Sequence, residues 1–255
     1  MQDTVLVDDA DGVRVVTINR PDVRNAVDLQ TARAISDALD ELEQRDDLRV
    51  GVITGSGGTF CAGMDLKALA ATGERPIVKP RGAFGIVEQP PAKPVLAAVE
   101  GYALGGGFEV ALACDLIVAA EDATFGLPEV KRGQVAAAGG VMRLQRRMPH
   151  HVAMEVVLTG DPLTARRAHA LGLVNHLAAP GGALRAATEI AARIAANGPL
   201  AVAVSKRVMV ESPAWPINEA FERQEPLVNV VRASEDAREG ARAFVEKRPP
   251  VWSGR

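Results

Sequence analysis

The chain has 255 residues, 47% of them apolar, and 29 Lys and Arg against 32 Asp and Glu leave a net charge of -3. That is enough apolar material for a real core, in one large domain or a domain with an appendage. The two signs are interspersed and no basic cluster is interleaved with aromatics, which argues against nucleic acid as a partner.

Met1-Gln2-Asp3-Thr4-Val5 lacks a basic segment followed by an apolar stretch, and no later run approaches the ~20 apolar residues of a membrane span. A cytoplasmic, soluble protein is expected. Val5-Leu6-Val7 and Val13 to Ile18 flank Asp8-Asp9-Ala10-Asp11-Gly12, whose aspartates and glycine predict a hairpin. After Asn19-Arg20-Pro21, the apolar residues Leu29, Ala32, Ile35, Leu39 and Leu42 fall three or four apart, one face of a helix that Asp28 is placed to cap. Val50-Gly51-Val52-Ile53-Thr54 reads as a short buried strand. Between Leu69 and Val95, Gly73, Pro76, Pro80, Gly82, Gly85, Pro90, Pro91 and Pro94 are too many breakers for one regular element, so a mobile loop is expected, placed to lie over a ligand site.

Lys93 to Val99 has strand character, Gly105 to Cys114 helix character, and Leu116 to Ala119 strand character again. Strands alternating with helices imply α/β architecture. From Gly139 onward strands become scarce, and helical periodicity runs through Val152 to Leu158, Leu184 to Ala195, Ala201 to Val210 and Ala237 to Val245. Asn197-Gly198-Pro199 is a helix-stop signal rather than a tether. Cys61 and Cys114 have no partner spacing and read as reduced core thiols. His150, His151, His169 and His176 form no metal-binding pattern, so no metal is expected.

Leu104-Gly105-Gly106-Gly107-Phe108-Glu109 passes from strand through glycines into an apolar helix. Its first-turn N–H groups have no intrahelical partners and the dipole's positive end points outward, a setting for an anion. Phe60-Cys61-Ala62-Gly63-Met64-Asp65-Leu66 supplies a second candidate donor, and two amides from separate loops suit an oxyanion hole. Taken singly, either glycine motif is equally readable as close packing or a plain turn. Glu109 sits in the apolar stretch Phe108 to Cys114, where burial would raise its pKa and fit it for proton transfer; the plainer reading is a glutamate favoured by its own helix dipole. Glu129, in Phe125-Gly126-Leu127-Pro128-Glu129, is the second candidate acid, with a surface ion pair to Lys131 or Arg132 as its alternative. GxGxxG, GxxxxGK[ST] and GxSxG are absent, which removes the simplest readings as a dinucleotide binder, an NTPase or a serine hydrolase.

Together these segments resemble the crotonase (enoyl-CoA hydratase/isomerase) superfamily. The resemblance is carried by Asn19-Arg20-Pro21 with Asn25-Ala26, by Phe60 to Leu66, by Gly101-Tyr102-Ala103-Leu104-Gly105-Gly106-Gly107-Phe108-Glu109 and by Phe125 to Glu129. Further along, Gly139-Gly140, Leu158-Thr159-Gly160, Ala170-Leu171-Gly172-Leu173-Val174 and Phe244-Val245-Glu246-Lys247-Arg248 continue it in order. It implies a spiral of repeated ββα units over residues 1–198, holding the active site, and a C-terminal helical region over 199–255 that builds trimers, often paired into hexamers.

The resemblance also assigns roles. Met64 and Gly106 would donate backbone N–H groups to a thioester oxygen, and Glu109 and Glu129 would add water reversibly and syn across a 2-enoyl-CoA, Glu109 taking the water proton and Glu129 protonating the α-carbon. Coenzyme A, part of the substrate rather than a separate cofactor, would meet Arg24, Ala26, Ala62, Asp65 and Lys67, with Phe244 and Lys247 reaching in from an adjacent subunit. Within the superfamily, Gly107 to Asp115 and Val251-Trp252-Ser253-Gly254-Arg255 look like carnitinyl-CoA dehydratases; a trimethylammonium head group would favour an aromatic or acidic wall, and the sequence assigns none. The departure from the family pattern is Gln134-Val135-Ala136-Ala137-Ala138, where hydratases carry Pro and then Gly at the positions of Ala136 and Ala137. Ala137, at the water-positioning place, keeps its N–H but has a restricted backbone. An isomerase using mainly Glu129 and a binding scaffold without chemistry are the competing readings; the balanced charge and the retained glutamates weigh against the second.

Overall fold

Asp11 and Gly12 both take positive φ, 51° and 78°, the combination that a two-residue hairpin turn demands and that Asp and Gly tolerate best. The turn joins β1 (Val5–Ala10) to β2 (Val13–Ile18) in antiparallel register. This is a computed structural model that describes residues 3–255; Met1 and Gln2, within the segment on which the cytoplasmic expectation rests, lie outside the described residues. α1 (Leu29–Gln44) begins where expected, with the Asp28 carboxylate accepting from the Thr31 N–H at 2.8 Å and its hydroxyl at 2.7 Å. β3 (Val50–Gly55), α2 (Leu66–Thr72), the two-residue strands β4 (Ile77–Val78) and β5 (Gly82–Ala83), and β6 (Val95–Val99) follow.

The next turn of the chain gives β7 (Tyr102–Leu104), α3 (Gly106–Ala113), β8 (Leu116–Ala120) and β9 (Thr124–Gly126). Then come α4 (Gly140–Arg147), α5 (His150–Thr159), β10 (Leu163–Thr164), α6 (Ala165–Ala170), β11 (His176–Ala178) and α7 (Ala183–Ala195). The chain ends in α8 (Pro199–Glu211), α9 (Ala220–Arg232) and α10 (Glu235–Glu246). The six-stranded sheet runs β1-β2-β3-β6-β8-β11, parallel from β2 onward, and a second, three-stranded sheet runs β10-β9-β7. Successive passes thus place one strand in the large sheet and the next in the small one, the spiral that the resemblance implies.

β6 is buried along its whole length because both faces of the sheet are covered. Val50, Val52, Leu96, Ala98 and Val118 face Ala187, Ala191 and Ala195 of α7, whereas Ile53, Val95, Ala97, Val99 and Ile117 belong to the larger core with α1 and α3. Small alanines on α7 let it approach the sheet closely. Cys61 and Cys114 are free and buried, and burial pushes both thiols up to about 12. Among the described residues no helix is long and apolar enough to cross a membrane.

Several elements differ from the sequence reading, α9 and the segment after Leu69 among them. α9 carries Pro226 in its interior and presents no fully buried residue, so its apolar period is weak. The breaker-rich segment after Leu69 does border a cleft, as expected, but it is packed rather than loose. Arg81, 2% exposed, donates to Asp40 and Glu43 of α1 at 2.7 and 2.6 Å and to the Gln89 carbonyl at 3.0 Å, while Phe84, Ile86 and Val87 are buried. A buried arginine with several acceptors anchors such a segment better than regular secondary structure would.

Candidate active site

Parallel pairing of β7 with β9 sets Leu104 against Gly126, so the chain leaves both strands at the same level. From there α3 starts at Gly106, and the turn after β9 delivers Glu129 three residues past Gly126. Gly105, at φ 54°, is the pivot: its N–H donates to the Gly126 carbonyl at 2.8 Å, and a Cβ there would lie 3.0 Å from Glu129 Oε1. Gly106 is the first residue of α3, where a helical N–H has no partner in its own helix.

The second donor comes from a single parallel bridge between Val27 and Met64. Val27 donates to the Gly63 carbonyl at 2.8 Å and accepts from the Asp65 N–H at 2.9 Å, which turns the intervening Met64 N–H the other way. Gly63, at φ 95°, packs so close to α3 that a Cβ would sit 3.0 Å from the Gly106 nitrogen. Gly107 is closer still, its hypothetical Cβ 2.1 Å from the Cys61 carbonyl. These glycines let the two loops touch, and the Met64 and Gly106 amides, both on residues that line one cleft, have no protein acceptor among the described residues.

Both glutamates face the same cleft of about 610 Å³. Glu109 is 3% exposed, and its Oε1 accepts from the Gly140 N–H at the start of α4 at 2.9 Å. Burial pushes Glu109 up to about 7, the Gly140 amide working against burial and the charge of Glu129 adding to it. Glu129 is half-buried and makes no ion pair with a described residue; burial raises its pKa too, against the pull of its own backbone amide and of Arg132. Its Oε2 is buried without a hydrogen-bond partner, a position that suits a protonated acid awaiting a ligand. Two neighbouring carboxyls in a shielded site share protons as a pair. The Gly140 amide at the start of α4 gives Glu109 a donor for its charged form, whereas Oε2 of Glu129 has none.

Of the other residues singled out in the sequence, Ala62, Met64 and Ala137 line the cleft. Arg24, at φ 54°, accepts the Ala62 N–H on its carbonyl at 3.0 Å, and the Ala26 carbonyl receives the Arg20 guanidinium, so both belong to the loop beside the cleft mouth. Asp65 caps α2 through Lys67 and Ala68 N–H at 3.1 and 3.0 Å and pairs with Arg20 at 2.9 Å. Burial opposes its charge, yet these donors hold the Asp65 carboxyl below its ordinary value. Lys67 is exposed in the first turn of α2. Phe244, 86% exposed, and Lys247, which closes α10 at φ 52°, do not line the cleft of their own chain.

Sequence reasoning placed the 69–95 segment and Ala137 at the site but missed the side chains that make the facing wall. Phe84 takes a positive φ of 56° and lays its ring where a Cβ on Gly106 would come within 2.0 Å of Cζ. Nothing in a breaker-rich stretch signals that one aromatic turns inward. Gly139, which caps α4, and Met142, Arg143 and Arg146 on the helix all line the cleft; their three- and four-residue spacing was legible, but polar residues on a helix face read as solvated.

A sequence profile of the enoyl-CoA hydratase/isomerase family matches residues 8–255. Enoyl-CoA hydratase EchA19 of Mycobacterium tuberculosis is 40% identical over 248 residues, covering 94% of this chain and 93% of the relative. A carnitinyl-CoA dehydratase of Salmonella typhi is 43% identical over 248 residues, covering 94% of each. The crystal structure of enoyl-CoA hydratase EchA1 from Mycobacterium marinum superposes with a TM-score of 0.97 at 56% identity over 99% of both chains.

Proposed function

The chain belongs to the enoyl-CoA hydratase/isomerase family, and we propose that it hydrates a 2-trans-enoyl-CoA reversibly through an enolate-like state. The observation that carries this reading is the convergence of two unpartnered amides, Met64 and Gly106, with two pKa-raised carboxyls in one cleft. The thioester oxygen accepts from both amides. Water held between the glutamates attacks the β-carbon, giving a proton to the Glu109 carboxylate; the π electrons move toward the thioester, and the Glu129 carboxyl protonates the α-carbon. Each turn of the reaction leaves the proton on Glu109 and the charge on Glu129, and exchange with solvent resets the pair. Donors fixed before charge develops need no reorganisation, and each is worth about 3 kcal/mol in the transition state.

The CoA moiety passes the loop of Arg24, Ala26 and Ala62 and the start of α2 at Asp65 and Lys67, where the ammonium of Lys67 serves phosphate as a point charge. The region from Pro199 onward builds a homotrimer, or a pair of trimers, which brings Phe244 and Lys247 to a neighbour's site. Support for this lies in the large apolar side chains it exposes, among them Met209, Ile217, Phe221, Phe244 and Val245. Dehydration of a carnitinyl-CoA, the same chemistry in reverse, is a second reading favoured by the 43% identical relative.

The test follows loss of the conjugated thioester absorbance of crotonyl-CoA. Glu109→Gln and Glu129→Gln are each expected to lower kcat by ~10²–10⁴-fold with unchanged circular dichroism. Full activity in either variant rules out the two-carboxyl mechanism, and a shifted double bond without uptake of solvent oxygen replaces hydration by isomerisation. Light scattering gives the subunit count.

A further inference from the structure

Four arginines line the cleft, Arg75, Arg132, Arg143 and Arg146, and none is ion-paired with a described residue. The carboxylates on the same walls are few: Glu109, Glu129 and Glu88, the last tied to Lys79 at 2.6 Å. Burial raises the pKa of both Glu109 and Glu129, and four arginines against three carboxylates leave the cleft an excess of positive charge. An enzyme for a neutral acyl chain has no use for that excess at its reacting end.

The placement on α4 is specific. Gly140 gives its amide to Glu109, and Arg143 and Arg146 follow three and six residues later on the face that lines the cleft. At 1.5 Å per residue they stand about 4.5 and about 9 Å further along the helix axis. The Arg143 guanidinium folds back over the helix start, its Nη1 2.1 Å from where a Cβ of Gly139 would be, so glycine at that position is what admits it. Its Nη2 donates to the Val87 carbonyl, and Nε and Nη1 have no protein acceptor among the described residues. Burial and the neighbouring Arg147 disfavour its charge, and Glu109 offsets them only in part. In the acyl-CoA reading of the cleft the reacting carbons, not the nucleotide phosphates, lie beside Glu109, and Arg143 stands one turn from the Gly140 amide from which Glu109 accepts.

We propose that the acyl chain preferred by this enzyme ends in a carboxylate, which Arg143 and Arg146 receive on the cleft face of α4. Guanidinium and carboxylate match as forked donor and paired acceptor. A chain with a trimethylammonium end meets like charge instead. The inference rests on the reading of the cleft as an acyl-CoA site and names the substrate class within it.

Binding separates this from catalysis. Adipyl-CoA and hexanoyl-CoA are saturated, so neither turns over, and they differ only in the terminal carboxylate. Isothermal calorimetry on the full-length protein is expected to show adipyl-CoA bound at least tenfold tighter, with the ratio falling below threefold in both Arg143→Met and Arg146→Met. Arg146 is exposed, so its variant keeps the test readable if Arg143→Met fails to fold. Equal affinities in the wild type overturn the proposal. Variants that weaken both thioesters equally overturn it as well and assign the arginines to CoA phosphates, and tighter binding of 4-trimethylammoniobutyryl-CoA would hand the pocket to a cationic acyl group. Failure of every thioester to bind sinks the acyl-CoA reading itself, and this inference with it.

Discussion

Along the wall made by Gly63, Met64, Gly105 and Gly106 the functional atoms are backbone N–H groups, and the glycines are crowded from behind. A Cβ on Gly106, Gly107 or Gly63 meets another atom at 2.0, 2.1 or 3.0 Å. On the wall opposite, formed by residues 134–147 and 75–88, the functional atoms belong to side chains, and Arg143, Arg146 and Met142 stand partly open to the cleft. The first wall tolerates almost no substitution and fixes what reaction is possible. The second has room to change and selects what enters. Glu109 joins them, carried on α3 but bonded to the first amide of α4.

The sharpest way to break this division is to place a methyl group on the backbone wall. In Gly106→Ala the new Cβ collides with the Phe84 ring at 2.0 Å, so either the ring or the donor amide moves. Loss of one oxyanion donor costs ~10²–10³ in kcat, and steady-state kinetics should show that loss with KM much less affected. Adding Phe84→Leu to the same chain should recover part of the rate. No loss of kcat in Gly106→Ala would mean that the amide is not in the reacting wall.

The backbone wall was also the more legible one in the sequence. A glycine run followed by an acid in an apolar stretch is informative because burial and helix starts obey local rules, and Glu109 sits where those rules place it. Glu129 was legible only as one of two readings; the missing ion pair and the orphaned Oε2 needed coordinates. The side chains of the facing wall were hidden because they acquire meaning through contacts far along the chain: Arg81 with α1, Phe84 with Gly106, Arg143 with Val87. Pro and Gly in residues 73–94 signalled irregular backbone correctly, but a loop held by buried arginine and aromatic side chains has the same composition as a loose one.

A second prediction concerns the residue that joins the walls. The Glu109 pKa rises from 4.5 to about 7 on folding, so between those values the folded state binds more protons than the unfolded state. Stability contributed by this group is therefore full below pH 4.5 and is lost as pH climbs through 7. Glu109→Gln removes that loss and leaves an oxygen for the Gly140 amide. Denaturant titrations should find the variant more stable than wild type at pH 8, by up to about 3 kcal/mol, and equal to it at pH 4. A variant less stable at pH 8 would show that the native carboxylate is stabilised by its surroundings, against the direction argued from burial.

The smallest expected effect lies on the facing wall, at Ala137. The resemblance places glycine at the position of Ala137, yet Ala137 adopts no positive φ, so its methyl group is not strained, and the amides that hold Glu109 belong to Gly140 and Ala138. Ala137→Gly should therefore lower stability by about 0.4–1 kcal/mol through added freedom in the unfolded chain. Its kcat on crotonyl-CoA should change by less than tenfold, under about 1.4 kcal/mol in the barrier. A gain of tenfold or more would place the 137 amide among the groups that hold the attacking water. The boundary between the walls would then run through residues 134–138 rather than at Gly140, and the loss of the family glycine would be a change in chemistry rather than in substrate fit.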